Sequence, residues 1–197
     1  MSKRNHIVEA TPEWRLRAAA TRKSKSTREI GAAAAQLFYT RGYAETGVLD
    51  IAKAADKSSR TLYNLFESKG ELAADIVDTT FAALVRQQED DRALSIRTIT
   101  TATQEAMSVF DGAGIALLEA RIITGKSATE LLPNASQTLW DALSLGKKVG
   151  QVRTDQPLSS LVETTLSLLA ATSAEDDPAE RLRQHDIVVA GLYPVRP

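Results

Sequence analysis

The sequence predicts an all-α fold, in which an N-terminal three-helix head with a helix-turn-helix precedes a larger helical body. Three observations support this prediction. Hydrophobic residues make up 43% of the 197 residues but aromatic residues only 5%, and strands recruit aromatic and β-branched residues preferentially. Apolar residues recur at helical spacing along most of the chain. Two short apolar-periodic segments near the N-terminus are separated by a tight break, which is typical of a helix-turn-helix.

The composition excludes several classes of site. The chain has no cysteine, which excludes disulfides and thiolate metal sites, and its two histidines, His6 and His185, are too few for a histidine cluster. We therefore expect no metal and no cofactor. No stretch approaches the roughly 20 apolar residues of a membrane span, and the N-terminus lacks the apolar segment of a signal peptide. We expect a soluble, cytoplasmic protein with no membrane partner.

The net charge of −1 hides a basic N-terminus. Residues 1–28 contain eight Lys and Arg but only Glu9 and Glu13 as acids, a charge of +6, so the remainder carries −7. A basic segment on an acidic body suggests a polyanion partner for that segment alone. We predict a flexible basic arm over residues 1–25, whose composition fits a DNA-binding extension and a solvated tail equally well.

Helix-capping residues mark the boundaries of the predicted head, residues 26–85. Ser26 and Glu29 have the spacing of a capping box, which predicts that the first helix starts at Ser26, and Gly42 is suited to end it. A second capping box at 68–71 predicts the start of a longer fourth helix. The apolar face of the first helix comprises Ile30, Ala33, Ala34, Leu37 and Phe38.

The predicted helix-turn-helix occupies about residues 48–67. Thr46 is suited to cap its first helix and Ser58 its second, with a break at Asp56 and Lys57 between them. Leu62 and Leu65 are placed to anchor the second helix against the head. The other positions of this helix carry small or hydrogen-bonding side chains, as groove reading demands: Ser59, Arg60, Thr61, Tyr63 and Asn64.

Five further helices are predicted in the body, residues 86–197, at about 92–110, 113–124, 127–148, 157–174 and 178–192. The helix at 157–174 is apolar nearly all round, so it must be covered on more than one side. We expect a homodimer whose interface involves the last two helices; the alternative is that both helices fill an intrachain core. The predicted interface residues are Leu158, Leu161, Val162, Leu166, Leu169, Leu182 and Val189.

The run from Gly42 to Leu72 resembles the DNA-binding signature of the TetR family of transcription regulators. With the preceding helix, the resemblance covers residues 26–72; it is weaker over 150–169, and residues 90–148 resemble no family. The matching residues are Gly42, Tyr43, Thr46, Asp50, Ile51, Ala52, Ala54, Ala55, Ser58, Thr61, Leu62, Tyr63, Phe66, Ser68, Lys69, Glu71 and Leu72.

Three positions depart from the family pattern. Asp56 stands where the family has a turn glycine, and aspartate tolerates the left-handed conformation better than most residues. Lys57 stands where the family has an apolar residue, and we expect it to turn outwards to solvent or a phosphate. Leu49 replaces a basic or polar residue, so the first motif helix is not expected to read a base.

The resemblance implies a homodimeric regulator, usually a repressor, that binds a palindromic double-stranded DNA operator and is released by an unknown small-molecule effector. The implied base contacts are Ser59, Arg60, Thr61 and Asn64, and the implied phosphate contacts are Thr46, Ser58, Tyr63 and Lys69. Lys69 also lies in the first turn of a long helix, which favours an anion. Tyr63 has an alternative role as a core aromatic residue, and Arg60 as a solvated charge.

The resemblance also implies a ligand pocket in the body. Trp140 can pack and still donate its N–H to a ligand, and Arg121 either meets an anionic ligand or pairs internally with Glu119 or Glu105. Each candidate is more often an ordinary core or surface residue. The candidates are Phe81, Met107, Phe110, Arg121 and Trp140.

Other classes of function compete with a DNA-binding regulator. A sequence-tolerant DNA-packaging protein or a helical interaction adaptor is an alternative for the same helical chain. An all-helical enzyme is disfavoured, because the sequence carries no phosphate-binding glycine loop, metal-ligand cluster or nucleophile elbow. We expect no enzymatic activity.

Overall fold

The computed structural model describes residues 13–87, 95–173, 175 and 177–194. These residues form ten α-helices and no strand, which confirms the predicted all-α fold. The sequence placed the fourth helix in the head, but in the structure this helix, α4, joins the head to the body. From here on, the head means α1–α3 and the body means α5–α10. No helix in the described ranges is long and apolar enough to cross a membrane. The helices are α1 Glu13–Arg41, α2 Val48–Ala54, α3 Ser59–Tyr63, α4 Lys69–Gln87, α5 Ile96–Met107, α6 Ala113–Thr124, α7 Ala128–Leu131, α8 Pro133–Lys148, α9 Leu158–Thr172 and α10 Pro178–Ala190.

Helix α1 starts earlier than the capping box predicts. It runs through Ser26 without a break and is 29 residues long, so the predicted helix start at Ser26 is wrong. Residues 13–25 contain no glycine or proline and include three strong helix formers at 18–20, so nothing local stops the helix. This part of the predicted flexible arm is therefore helical, whereas residues 1–12 lie outside the described residues. The helix ends as predicted before Gly42, whose φ of 81° is left-handed.

The three helices of the head pack on one another through buried apolar side chains, which belong to the same core cluster as those of the body. Ile30, Ala34 and Phe38 of α1 are fully buried, in one cluster with Ile51 of α2 and Leu62 of α3. The apolar face predicted for each segment thus points inwards. Burying side chains of this size contributes roughly 1.5–3 kcal/mol each, which holds three helices around one centre.

The body helix predicted at 127–148 is two helices, α7 and α8. Pro133 opens α8; a proline has no N–H and disfavours helical conformation in the residue before it, and Leu132 has φ −124° and ψ 62°. The start of α8 is held from α4 by the buried carboxylate of Asp78. This carboxylate accepts hydrogen bonds from the backbone N–H groups of Asn134 at 3.1 Å and Ala135 at 3.0 Å.

Most of the predicted dimer residues lie inside the protomer. Helix α9 is apolar nearly all round because α5, α6, α8 and α10 cover it, which leaves only a narrow outer strip exposed. Leu158 is half-buried, and Leu182 is 61% exposed. The other five residues belong to the chain's own core, so their assignment to a dimer interface is wrong: Leu161, Val162, Leu166, Leu169 and Val189.

The predicted pocket residues do not converge on one cavity. Phe81 and Met107 are buried in the main core. Phe110 packs on Phe38 of the head, with the ring centroids 5.0 Å apart. Trp140 lies on the surface of α8, 40% exposed. Helical periodicity shows which face of a helix is apolar. It does not distinguish a residue in a close-packed core from one that lines a cavity.

Arg121, the fifth pocket candidate, forms an ion pair within the chain. Its guanidinium lies 3.1 Å from the carboxylate of Glu163 on α9 and donates to the Ser167 hydroxyl at 2.9 Å. The expected internal pairing is thus correct in kind but wrong in partner, because α6 packs against α9. The partners named from the sequence, Glu119 and Glu105, are not the ones it meets.

A histidine is buried between α5 and α10. His185 is only 2% exposed, and its Nε2 lies 3.1 Å from the Thr100 hydroxyl. Its Nδ1 is buried without a hydrogen-bond partner among the described residues. Burial lowers the pKa of His185, and the nearby Asp186 carboxylate only partly opposes this effect. Burial thus disfavours the protonated form of this imidazole in the folded protein.

We expect stability to fall on acidification because of His185. Its pKa is below the unfolded value of about 6.5, so the unfolded state binds the proton first as the pH decreases, and the folded state loses free energy relative to it. Urea unfolding measures the free energy of unfolding at neutral pH and at about pH 5.5. Between these two pH values it should decrease less in His185→Gln than in the wild type. A decrease of the same size in both proteins would contradict this assignment.

Candidate nucleic-acid interface

Helices α2 and α3 are joined by a tight turn at 55–58. Ile51 and Ala52 of α2 and Leu62 of α3 are buried, so the two helices cross over apolar side chains. The turn requires one left-handed residue, and Asp56 supplies it with φ 52°. The expectation that aspartate replaces the usual glycine there is correct.

The turn is attached to α1 by an ion pair. The Lys57 ammonium lies 2.9 Å from the Glu29 carboxylate, and its backbone N–H donates to the Ala52 carbonyl at 2.9 Å. Lys57 therefore points towards α1, and the expected orientation towards solvent or a phosphate is wrong. The pKa of Glu29 is lowered chiefly by its hydrogen bond with Lys57. The pair keeps the start of α3 close to α1.

The capping of α3 agrees with the sequence, whereas that of α2 does not. The Ser58 hydroxyl accepts a hydrogen bond from the Thr61 N–H at 3.1 Å and lies 2.9 Å from the Thr61 hydroxyl. At α2 the cap position is Gly47. Thr46 is instead buried, and its hydroxyl donates to the Gly42 carbonyl at 2.8 Å. We therefore remove Thr46 from the residues proposed to hold a phosphate.

The outer side of α3 is polar and accessible. Tyr63 is 54% exposed, so it is not a core aromatic residue. Ser59 and Thr61 are half-buried. The exposed residues of the segment are Ser58, Arg60, Tyr63 and Asn64. This side offers a guanidinium, a phenol, an amide and hydroxyl groups, which together can both donate and accept hydrogen bonds.

Lys69 is bound within the protein. Its ammonium donates to the carbonyl of Tyr43 at 3.0 Å and to that of Thr46 at 3.2 Å, and it lies 3.9 Å from the centroid of the Tyr43 ring. These contacts tie the first turn of α4 to the loop between α1 and α2. We call this set of contacts the Lys69 clamp.

Tyr43 connects the same loop to the body. Its backbone N–H donates to the Asp111 carbonyl at 2.9 Å, and its ring lies 5.4 Å from the ring of Phe38. A Cβ at Gly112 would approach the Tyr43 side chain to 3.0 Å. In the sequence Tyr43 stands out only as part of the family pattern, and no local pattern points to Asp111 or Gly112. Burial raises the pKa of the Tyr43 phenol, with Glu119 adding to the effect.

Acidic side chains cover the first turn of α4. Ser68 caps α4, because its hydroxyl accepts a hydrogen bond from the Glu71 N–H at 3.0 Å. This is one half of the predicted capping box, whose second bond, from the Ser68 N–H to Glu71, is replaced by one from the residue before it. The Glu71 carboxylate accepts from the Glu67 N–H at 2.6 Å. Lys126 at the end of α6 reaches Glu67 at 2.8 Å and Glu71 at 2.5 Å. Its pKa is raised, first by Glu67 and then by Glu71.

Helix α4 approaches α6 closely at Gly70. A Cβ there would lie 2.6 Å from the Ala116 carbonyl oxygen and 2.8 Å from the Ala120 nitrogen. Both are backbone atoms, so no side-chain rotation can relieve the overlap. A glycine inside a helical segment usually has a packing reason, which is the signal by which this position could have been found.

We expect Gly70→Ala to destabilise the protein by roughly 1–3 kcal/mol, because the new methyl group forces α4 and α6 apart. The matched control is Gly31→Ala in α1, where a Cβ meets nothing within 4 Å. That substitution should stabilise by about 0.5–1 kcal/mol, the usual gain in helix propensity. Urea unfolding measures both changes. If the two variants were equally stable, the close approach at Gly70 would be refuted.

The comparison with known families matches the head. Residues 30–76 match the family model described as bacterial regulatory proteins, tetR family. The matched range contains α2, the turn, α3 and both residues at the centre of the Lys69 clamp. No curated protein sequence matches the chain.

Solved structures share the fold over most of the chain. RolR in complex with resorcinol is 18% identical, with a TM-score of 0.61, and the match covers 88% of this chain and 90% of that chain. BioQ with its double-stranded DNA operator is 18% identical, with a TM-score of 0.57, over 84% and 96%. Thermus thermophilus FadR, a TetR family transcriptional repressor bound to lauroyl-CoA, is 20% identical, with a TM-score of 0.57, over 87% and 97%. At these identities the likeness concerns the fold, which it extends from the head to the body.

Proposed function

We propose that this chain is a transcriptional repressor of the tetR family of bacterial regulatory proteins, whose family model matches its N-terminal part. In this proposal a homodimer binds a palindromic operator. The dimer releases the operator when a small molecule binds the body. The family model describes regulatory proteins, and we propose that this chain likewise acts as a regulator and not as an enzyme. The observation that carries the proposal is α3, anchored from behind by Leu62 and exposing Arg60, Tyr63 and Asn64.

We divide the exposed side chains of α3 by their chemistry. An arginine makes two hydrogen bonds to the edge of guanine, and an asparagine makes two to adenine, so we assign Arg60 and Asn64 to bases, with Ser59 and Thr61 beside them. Ser58 and Tyr63 have single hydroxyl groups, which suit a phosphate oxygen. The DNA-binding domain comprises about residues 26–85 in this proposal. BioQ, which has the same fold, is known with a double-stranded operator.

The proposed dimer interface lies on the accessible strip of α9 and on its two neighbours. Leu168 of α9 and Ile187 of α10 line one groove, and Leu118 of α6 lines the next groove along the same face, together with Ala171 of α9. Contiguous apolar patches of this kind mark interaction sites. The large exposed apolar side chains that we assign to this face are Ile115, Leu118, Ile122, Leu168 and Ile187.

Control by a small molecule is proposed for the body, residues 86–197. RolR and FadR, which have the same fold, are known with resorcinol and lauroyl-CoA. A ligand shifts the equilibrium only by the difference between its affinities for the DNA-binding and released states. The functions of the genes that the operator controls indicate the chemical class of the effector.

The proposal is tested by selecting genomic fragments that the purified protein retains, followed by shift assays at physiological salt. We expect a palindromic site that is bound at least ~10³-fold more tightly than random DNA. Equal affinity for all fragments would instead support the DNA-packaging alternative. Genes beside the selected site supply candidate effectors, and release of the operator by one of them tests the ligand-controlled part of the proposal.

We expect Arg60→Ala to weaken operator binding by about 1–3 kcal/mol for each half-site and to relax specificity at one base pair of each half-site. Binding to random DNA should change little, because a base contact is lost and phosphate contacts remain. Shift assays with both duplexes measure the effect. The control is Arg183→Ala, an exposed arginine of α10 in the body, which should leave both affinities unchanged. An equal loss of affinity for operator and random DNA would contradict the assignment of Arg60 to a base.

We expect Leu168→Glu and Ile187→Glu to dissociate the dimer, because each places a charge in the apolar interface. Leu182→Glu is the matched control: Leu182 is also an exposed apolar residue of α10, but it stands ~140° round the helix from Ile187 and lines a different groove, with α5. Light scattering at micromolar concentration measures the mass. A dimer in the first two variants, or a monomer in the control, would refute this interface.

A further inference from the structure

We propose that Lys69 is a positioning residue, which fixes the orientation of the head on the body, and that it does not bind a DNA phosphate. The inference rests on the proposed function, since it concerns how the two heads of a dimer meet an operator. It revises the role that the family resemblance implies for this lysine.

The ammonium of Lys69 already has three contacts within the protein. Two of its three protons are donated to the carbonyls of Tyr43 and Thr46, and the face of the Tyr43 ring lies 3.9 Å away. An aromatic face attracts a cation most strongly where water is partly excluded, and Lys69 is partly buried. A phosphate would have to compete with these contacts.

The surroundings of Lys69 also disfavour an anion. The start of a long helix usually attracts one, but here Ser68 is buried and Gly70 is packed against α6. The carboxylates of Glu67 and Glu71 lie beside the same turn, and Lys126 at the end of α6 pairs with both. Negative charge at this helix start is thus supplied by the protein itself.

The clamp joins three parts of the molecule. Lys69 belongs to α4, Tyr43 and Thr46 belong to the loop after α1, and the N–H of Tyr43 donates to Asp111 in the turn between α5 and α6. The contacts that shape the helix-turn-helix itself are separate, since they involve Asp56, the Lys57 pair and the Ser58 cap. Removing the ammonium should therefore loosen the head as a unit without altering α3 within it.

A loosened head lowers the affinity for an operator with two half-sites far more than the affinity for a single half-site. Once one head is bound, the second binds at an effective concentration set by how closely its position matches its half-site. Free rotation of the heads lowers this concentration. One head on one half-site involves no such matching, so its affinity does not depend on the clamp.

The test compares wild type with Lys69→Met, which keeps the apolar stem and removes all three donors. Each protein is titrated with a duplex carrying both half-sites of the selected operator and with one carrying a single half-site, over a range of salt concentrations. We expect two-site affinity to fall by about tenfold or more, with single-site affinity and salt slope unchanged. Arg60→Ala should lower both affinities, and Tyr43→Phe, which keeps the ring and the carbonyl, should lower neither.

A parallel loss on both duplexes, with the salt slope reduced by about 1, would assign Lys69 to a phosphate and overturn the proposal. Unchanged affinity on both duplexes would also overturn it. Amide hydrogen exchange tests the clamp without DNA: Lys69→Met should speed exchange of the Tyr43 N–H and leave the amides of α2 and α3 protected. If wild type selects no operator, the proposed function fails, and the exchange result still decides whether the clamp exists.

Discussion

The contact between Tyr43 and Lys69 joins the α1–α2 loop to α4, and the orientation of the head on the body depends on it in our proposal. It brings a cation, two backbone carbonyls and an aromatic ring together at a partly buried position. Hydrogen bonds in such a setting are stronger than at an open surface, since water competes less for the same groups. Because Tyr43 also donates its own N–H to Asp111, one residue determines how the α1–α2 loop meets both α4 and the body.

The contacts that give the helix-turn-helix its shape do not involve the body. The left-handed Asp56 sets the path of the turn, the pair between Lys57 and Glu29 holds the turn on α1, and Ser58 caps α3. A five-residue helix such as α3 is too short to be stable by itself. Its geometry therefore depends on these contacts and on the burial of Leu62, while its outer side remains available to DNA.

Helix α6 is the element through which the body can act on the head. It meets α4 at Gly70 and α9 at Gly114, where a Cβ would overlap the carbonyl of Ala170, and its end supplies Lys126 to the first turn of α4. Close-packed interiors transmit displacement because they contain little empty space to absorb it. A displacement of α9 at the proposed dimer face, or of α6 when a ligand binds, would thus displace α4 as well.

The sequence by itself determined the helical fold, the apolar faces, the end of α1 at Gly42, the Ser58 cap and the polar side of α3, because each depends on residues only a few positions apart. Tertiary structure decided what remained. Ser26 has the spacing of a cap, yet α1 continues through it, since a capping pattern does not interrupt a segment of good helix formers. The apolar residues of α9 predicted a partner subunit, but neighbouring helices of the same chain cover most of them. Lys69 reaches a carbonyl 26 residues away, and Gly70 meets a helix that begins at Ala113. Local patterns specify which face of a helix is buried; which helix covers that face, and which groups an exposed lysine meets, follow only when all the helices pack together.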